Sequence, residues 1–155
     1  MAVTTKPDTI VLMDDEIFNI QWLVDFLEAK GFEVISASDA DSALRAISKE
    51  IYRTLILDLN VPISTSPQSG PGMTKTVYKK YPGLHVAWHA RNQGYRGRQV
   101  IIYSVHRDPD VEQEARNLDC TYILKGRPTE LKEEITHVIS YDPTASIEAG
   151  SEVKK

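Results

Sequence analysis

The run Thr54-Leu55-Ile56-Leu57-Asp58-Leu59-Asn60-Val61-Pro62 decides how the chain folds. Its opening residues are continuously apolar, which is the composition of a strand buried on both faces of a parallel sheet. We read a strand over Thr54 to Leu59. The carboxylate of Asp58 falls at the end of that strand, where an uncompensated charge costs several kcal/mol. Asp58 therefore marks a site as well as a fold element.

Reading outward from this strand gives the same unit on both sides. Upstream, Thr9 to Met13 is a short apolar run, and Ile17, Ile20, Leu23, Val24 and Leu27 follow on one face of a 3.6-residue period. Gly31 stops that helix, and Phe32 to Ala37 is a second strand. Ser38 with Asp41 three residues later predicts a capping-box start for a helix carrying Leu44 and Ile47 inward. Downstream, Gln99 to Val105 and Thr121 to Leu124 are the fourth and fifth strands. Asp108 and Pro109 open one helix as N-cap and first helical residue, and Pro128 to Ser140 forms the last. Alternating strands and helices imply right-handed crossovers. The fold class is α/β, a doubly wound five-stranded parallel sheet with helices on both faces.

Residues 63–98 enlarge the connection between the third and fourth strands. Ser64 to Gly72 is rich in Ser, Pro and Gly, Pro82-Gly83 reads as a helix break, and two helical pieces are expected near Thr74–Tyr81 and Leu84–Asn92. The domain spans residues 8–141. Residues 1–7 and 142–155 are polar and aperiodic and read as flexible tails.

Composition narrows the function classes. Of 155 residues, 41% are hydrophobic and 26% charged, the balance of one globular domain. No apolar run approaches the ~20 residues of a membrane span, and no signal segment opens the chain, so a cytoplasmic, non-membrane protein is expected. The lone Cys120 excludes an internal disulfide and reads as a small core side chain. The net charge of -4 hides an asymmetry: Asn60 to Arg107 contains no acidic residue and seven Lys or Arg, whereas the rest carries 22 acidic and 11 basic residues.

Ligands of open parallel sheets bind beyond the carboxyl ends of the strands. Those ends carry Asp14-Asp15-Glu16 after strand one, Asp58 on strand three, Ser104 on strand four and Lys125 after strand five. A cluster of carboxylates needs a cation, and oxygen-only ligands suit magnesium. A lysine and a hydroxyl opposite would complete a pocket for a phosphoryl group.

In this ordered set of residues the chain resembles the receiver domains of two-component response regulators, over about residues 8–140. The resemblance implies the flavodoxin-like receiver fold and a role for each matching residue. Asp58 would accept a phosphoryl group from a phosphohistidine. Asp15 and Asp58, with the backbone carbonyl of Asn60, would ligate Mg2+ directly, and Asp14 would act mostly through water. Lys125 would pair with the carboxylate and then the phosphoryl oxygens, Ser104 would donate a hydrogen bond to them, and Tyr122 would be the aromatic switch. The partners implied are a sensor histidine kinase or phosphotransfer protein, a downstream protein and a second copy in a homodimer. The chain would assist its own phosphoryl transfer and dephosphorylation without being an enzyme for another substrate.

Two departures qualify the resemblance. Asp58 and Ser104 stand 46 positions apart, wider by about a short helix than the family's usual spacing. Receivers also carry proline after the lysine with a cis bond between them, whereas Lys125 precedes Gly126. A cis bond before glycine costs about 2.5–4 kcal/mol, so a trans bond or a rearranged turn is expected.

Other constellations are weaker. His85 and His89 share the spacing of a zinc-binding pair, but no acidic residue lies nearby in sequence, and packing is the better reading. Ser104 lacks the glycine-flanked elbow of a hydrolase nucleophile. A magnesium-dependent phosphohydrolase built on Asp58 would favour a second carboxylate two residues on, where Asn60 stands. A receiver-like binding scaffold that is never phosphorylated is the other alternative. The acid-free segment, through Lys79, Lys80 and Trp88 with Tyr78, Tyr81 and Tyr95 among them, has the composition of a docking surface for an acidic protein. Nucleic acid is disfavoured as its target, because no helix-turn-helix pattern appears.

Overall fold

The computed structural model describes residues 4–64, 70, 73–95, 99–105 and 108–139, the side chains of 138 and 139 excepted. The elements run β1 (Lys6–Met13), a 3-10 turn (Ile17–Ile20), α1 (Gln21–Ala29), β2 (Glu33–Ala37), α2 (Ala40–Lys49), β3 (Tyr52–Leu57), α3 (Thr76–Lys80), α4 (Pro82–Gln93), β4 (Val100–Ser104), α5 (Pro109–Asn117), β5 (Thr121–Leu124) and α6 (Pro128–Ile139). The five strands form one parallel sheet in the order β2-β1-β3-β4-β5, the doubly wound arrangement expected from the sequence.

Strand parity divides the core. Odd residues Val11, Met13, Leu55 and Leu57 point to one face and pack with Ala40, Ala43 and Ile47 of α2 and Val86, Ala87 and Ala90 of α4. Even residues Ile10, Leu12 and Ile56 point to the other, against Leu23 and Leu27 of α1 and Leu131 and Ile135 of α6. Both faces being covered, the strands need no polar alternation, which is why they read as continuous apolar runs.

The boundaries moved where tertiary pairing overrides local signals. β1 begins at Lys6, inside the expected N-terminal tail, because the amides of Thr5 and Lys6 bond the carbonyl of Ile51. Pro7, which cannot donate to a ladder, sits where the β1–β3 register shifts. β3 begins at Tyr52 and ends at Leu57, leaving Asp58 just past it. The cap of α2 is Asp39, not Ser38, its carboxylate accepting the Ser42 amide at 2.7 Å. Gly31 and Asp108 play their expected roles: Gly31 follows α1 with φ 94°, and Asp108 accepts the Asp110 amide at 2.9 Å.

The enlarged β3–β4 connection contains two helices divided at Pro82-Gly83, as expected, and that dipeptide also forms the first turn of α4. Pro82 takes the first helical turn, where its missing N–H is harmless. Tyr78 and Tyr81 are buried with Leu59, Leu84, Ile102, Val111 and Ala115, so α3 seals the gap between α4 and α5. Lys75 adds an ion pair to Glu114 of α5 at 2.9 Å. Tyr95 is also buried: its hydroxyl accepts the Tyr52 amide at 2.8 Å and donates to the Glu50 carbonyl at 3.1 Å. These three tyrosines are core struts, not the docking surface their composition suggested. Arg91, near the end of α4, donates to the carbonyls of Leu118 (2.5 Å), Asp119 (2.6 Å) and Tyr95 (3.1 Å), tying α4 to the turn before β5.

The expected C-terminal tail, residues 1–3, and Arg96, Arg98 and Arg107 of the basic segment lie outside the described residues. Among the described residues no helix is long and apolar enough to cross a membrane.

Candidate functional site

The parallel ladder continues one residue beyond several strands, and those residues build the site. The amide of Asp14 bonds Ala37 (2.9 Å), that of Asp58 bonds Met13 (2.8 Å), and that of Lys125 bonds Ser104 (2.9 Å). Asp14, Asp58 and Lys125 are thereby held in register along one edge of the sheet, at the carboxyl ends of its strands.

Their side chains converge. Lys125 Nζ donates to Asp14 Oδ2 at 2.5 Å and stands 3.6 Å from Asp58 Oδ2. Carboxylate oxygens of Asp14, Asp15 and Asp58 lie within 4.8 Å of one another. Asp14 is buried and its Oδ1 accepts the Glu16 amide at 2.8 Å, whereas Asp15 is exposed at the mouth. Burial raises the Asp58 pKa above the ordinary carboxylate value; Lys125 opposes the rise, Asp14 adds to it, and the backbone amides of Leu59 and Asn60 also oppose it. Burial alone would pull the Lys125 ammonium down, but its bonds to Asp14 and Asp58 outweigh that and its pKa is raised. Three carboxylates against this ammonium leave excess negative charge, so the cluster fits a hard divalent cation with oxygen ligands.

The remaining site residues fall around this centre. Ser104 closes β4, fully buried, opposite Leu124. Tyr122 is half-buried on β5, beside the hollow lined by Glu112, Leu124, Arg127 and Glu130. Asn60 is exposed two residues after Asp58. Among the described residues no peptide bond is cis, so the Lys125–Gly126 bond is trans, and Gly126 makes the turn with φ 96°, a conformation other residues rarely adopt.

The residues expected to dock a partner differ in exposure. Lys79 and Lys80 are exposed on α3, with Lys80 Nζ 5.4 Å from the Tyr81 ring centroid. Trp88 is half-buried, stacked on His85 at 5.9 Å and covered by Gly70, where a Cβ would approach its ring to 2.5 Å. His85 and His89 pack as expected: His85 is buried, and His89 Nε2 lies 3.3 Å from Ser48 Oγ. Among the described residues the acidic triad is the cluster able to hold a metal, and neither histidine belongs to it. Cys120 is half-buried, and burial pushes its thiol up to about 11.

Two contributors escaped the sequence reading. Gly83, taken for a helix breaker, lies against the backbone of Asp58, and its amide bonds the Leu59 carbonyl at 3.0 Å. Tyr103, read as one more apolar residue of β4, has its ring 5.9 Å from Lys125 Nζ. Only an aromatic immediately before Ser104 signalled it.

No protein-family model matches the sequence, and no curated protein is detectably similar to it. Solved structures are. A CheY-like response regulator receiver domain protein from Methanospirillum hungatei superposes with a TM-score of 0.67 at 18% identity, over 90% of this chain and 95% of its own. A chemotaxis protein from Vibrio cholerae gives 0.62 at 21% identity, over 88% and 99%. A response regulator from Burkholderia pseudomallei, solved with a phosphorylated aspartic acid and a calcium ion, gives 0.63 at 16% identity, over 93% and 72%. With its β2-β1-β3-β4-β5 sheet and near-complete superposition on these domains, the chain has the receiver-domain fold.

Proposed function

We propose that the chain is a phosphorylation-dependent signalling switch whose phosphoacceptor is Asp58. The observation that carries this reading is the placement of the Asp58 carboxylate at a strand end, 3.6 Å from a lysine ammonium that a second buried carboxylate holds. The arrangement supports nucleophilic attack on phosphorus. An Asp58 oxygen forms the new P–O bond as the donor's P–N bond to a histidine ring breaks, and the imidazole leaves with the electron pair and takes up a proton. Positioning and charge neutralisation supply most of the catalysis in such transfers. Lys125 neutralises the incoming phosphoryl oxygens, and the Ser104 hydroxyl at the end of β4 donates to them. Asp15 and Asp58, the Asn60 carbonyl and, through water, Asp14 would hold Mg2+, which neutralises phosphoryl charge when bound.

The donor is a sensor histidine kinase or phosphotransfer protein, and output runs through protein partners, with Tyr122 responding to the Ser104 hydrogen bond. A ligand shifts a two-state equilibrium only by its differential affinity, and that bond provides the difference. The presence of a phosphorylated aspartic acid in a structure of the same fold supports the assignment. Incubation with magnesium and acetyl phosphate, followed by mass spectrometry, tests it. One base-labile phosphoryl addition is expected, lost in Asp58→Ala and in chelator. Undiminished labelling of Asp58→Ala overturns the reading, and an unlabelled parent points to a binding scaffold.

A further inference from the structure

Lys125 must reach across the pocket on a flexible four-carbon stem, and few of its rotamers place the ammonium on Asp14 while facing Asp58. Its neighbour Gly126 has no side chain to restrain it, and the backbone turns there at φ 96° through a trans bond. The restraint comes from the adjacent strand. Tyr103 is buried in the core with Leu12, Ile123 and Leu131, so packing fixes its ring. The β4–β5 register pairs Tyr103 with Ile123 and Ser104 with Leu124, and the Lys125 amide continues it onto the Ser104 carbonyl at 2.9 Å. Lys125 Nζ consequently stands 5.9 Å from the Tyr103 ring centroid, within the ~6 Å reach of a cation–π contact. Burial raises the pKa of the Tyr103 hydroxyl, and Lys125 and the backbone amide of Gly126 oppose the rise.

We propose that Tyr103 is a positioning residue for Lys125, its ring guiding the ammonium and its hydroxyl anchoring the Gly126 turn. The proposal rests on the reading of Asp58 as phosphoacceptor, and it concerns how this chain aims the lysine without a proline after it. Tyr103 itself touches no reacting atom. Tyr103→Phe keeps the ring and the core volume but removes the anchor; Tyr103→Leu removes both.

The test uses the 15N-labelled chain. In Tyr103→Phe the Gly126 amide should exchange with solvent about tenfold faster, while the amides of Ile10 and Leu55 keep their parent rates. The rate of Asp58 labelling by acetyl phosphate with magnesium should fall about tenfold in Tyr103→Phe and further in Tyr103→Leu, as expected for a misplaced catalytic group. In a Lys125→Ala background, Tyr103→Phe should add no further loss, because a residue acting only through Lys125 has nothing left to position. Unchanged Gly126 exchange, or a full additional loss in that background, overturns the proposal. A parent that takes no phosphoryl group instead overturns the phosphoacceptor reading, and Gly126 exchange then decides on Tyr103 alone.

Discussion

Gly83 rests directly on the backbone of Asp58: a Cβ built there would lie 2.2 Å from the Asp58 carbonyl oxygen and 2.7 Å from Cα of Leu59. Helix propensity and packing make opposite predictions for Gly83→Ala. Propensity favours alanine by about 1 kcal/mol, but the added methyl must displace the main chain that carries Asp58. We expect packing to win, with a net loss of about 1–3 kcal/mol in denaturant unfolding. A more stable variant would show that α4 can retreat from Asp58 freely.

Arg91 gives a second prediction. Its guanidinium donates to three backbone carbonyls on two segments, and a lysine ammonium cannot reproduce that fork. Arg91→Lys should cost about 1–3 kcal/mol of stability, and the loss should be visible as a lower thermal midpoint.

The Cys120 thiol, pushed up to about 11 by burial, should be a poor nucleophile despite the nearby Arg91, which acts in the opposite direction. At pH 8 the folded chain should react with a disulfide reagent about a hundredfold more slowly than a free cysteine thiol does. Denaturant should restore the ordinary rate.

A pH dependence follows from the histidines of α4. Burial lowers the pKa of His85, with His89 adding to the effect, and burial lowers that of His89. The unfolded chain therefore binds these protons before the native state does, so the stability present above about pH 6.5 is lost as pH falls toward the depressed native values. In His85→Phe, which keeps a ring against Trp88, the fall between about pH 7 and 5 should be shallower than in the parent. Equal slopes in urea unfolding at those pH values would remove His85 from the account.

Much of this architecture was legible because the sheet is covered on both sides. Continuous apolar runs such as Ile10 to Met13 leave little choice of element type, and acidic or basic residues at their ends then stand out by chemistry alone. Asp14, Asp58 and Lys125 were found for that reason, and their convergence needed only the order of the strands. Rules that look at neighbours along the chain failed where distant neighbours decided. Pro82-Gly83 does divide two helices, but nothing along the chain shows that the Asp58 backbone occupies the space a side chain at Gly83 would need. Tyr78, Tyr81 and Tyr95 have the composition of an interface, and only the placement of α5 and β3 shows what they fill. The nearness of the Tyr103 ring to Lys125 was invisible because it depends on the β4–β5 pairing and not on neighbours along the chain.

The helix α4 has a mechanical consequence. It is twelve residues long, about 18 Å at 1.5 Å per residue, and it is gripped at both ends: at Gly83 by the main chain after β3, and at Arg91 by the carbonyls before β5. Close-packed interiors transmit displacement instead of absorbing it. Seated at both ends, the helix joins the main chain beside Asp58 to the turn at the foot of β5 through its own backbone and one side chain, Arg91.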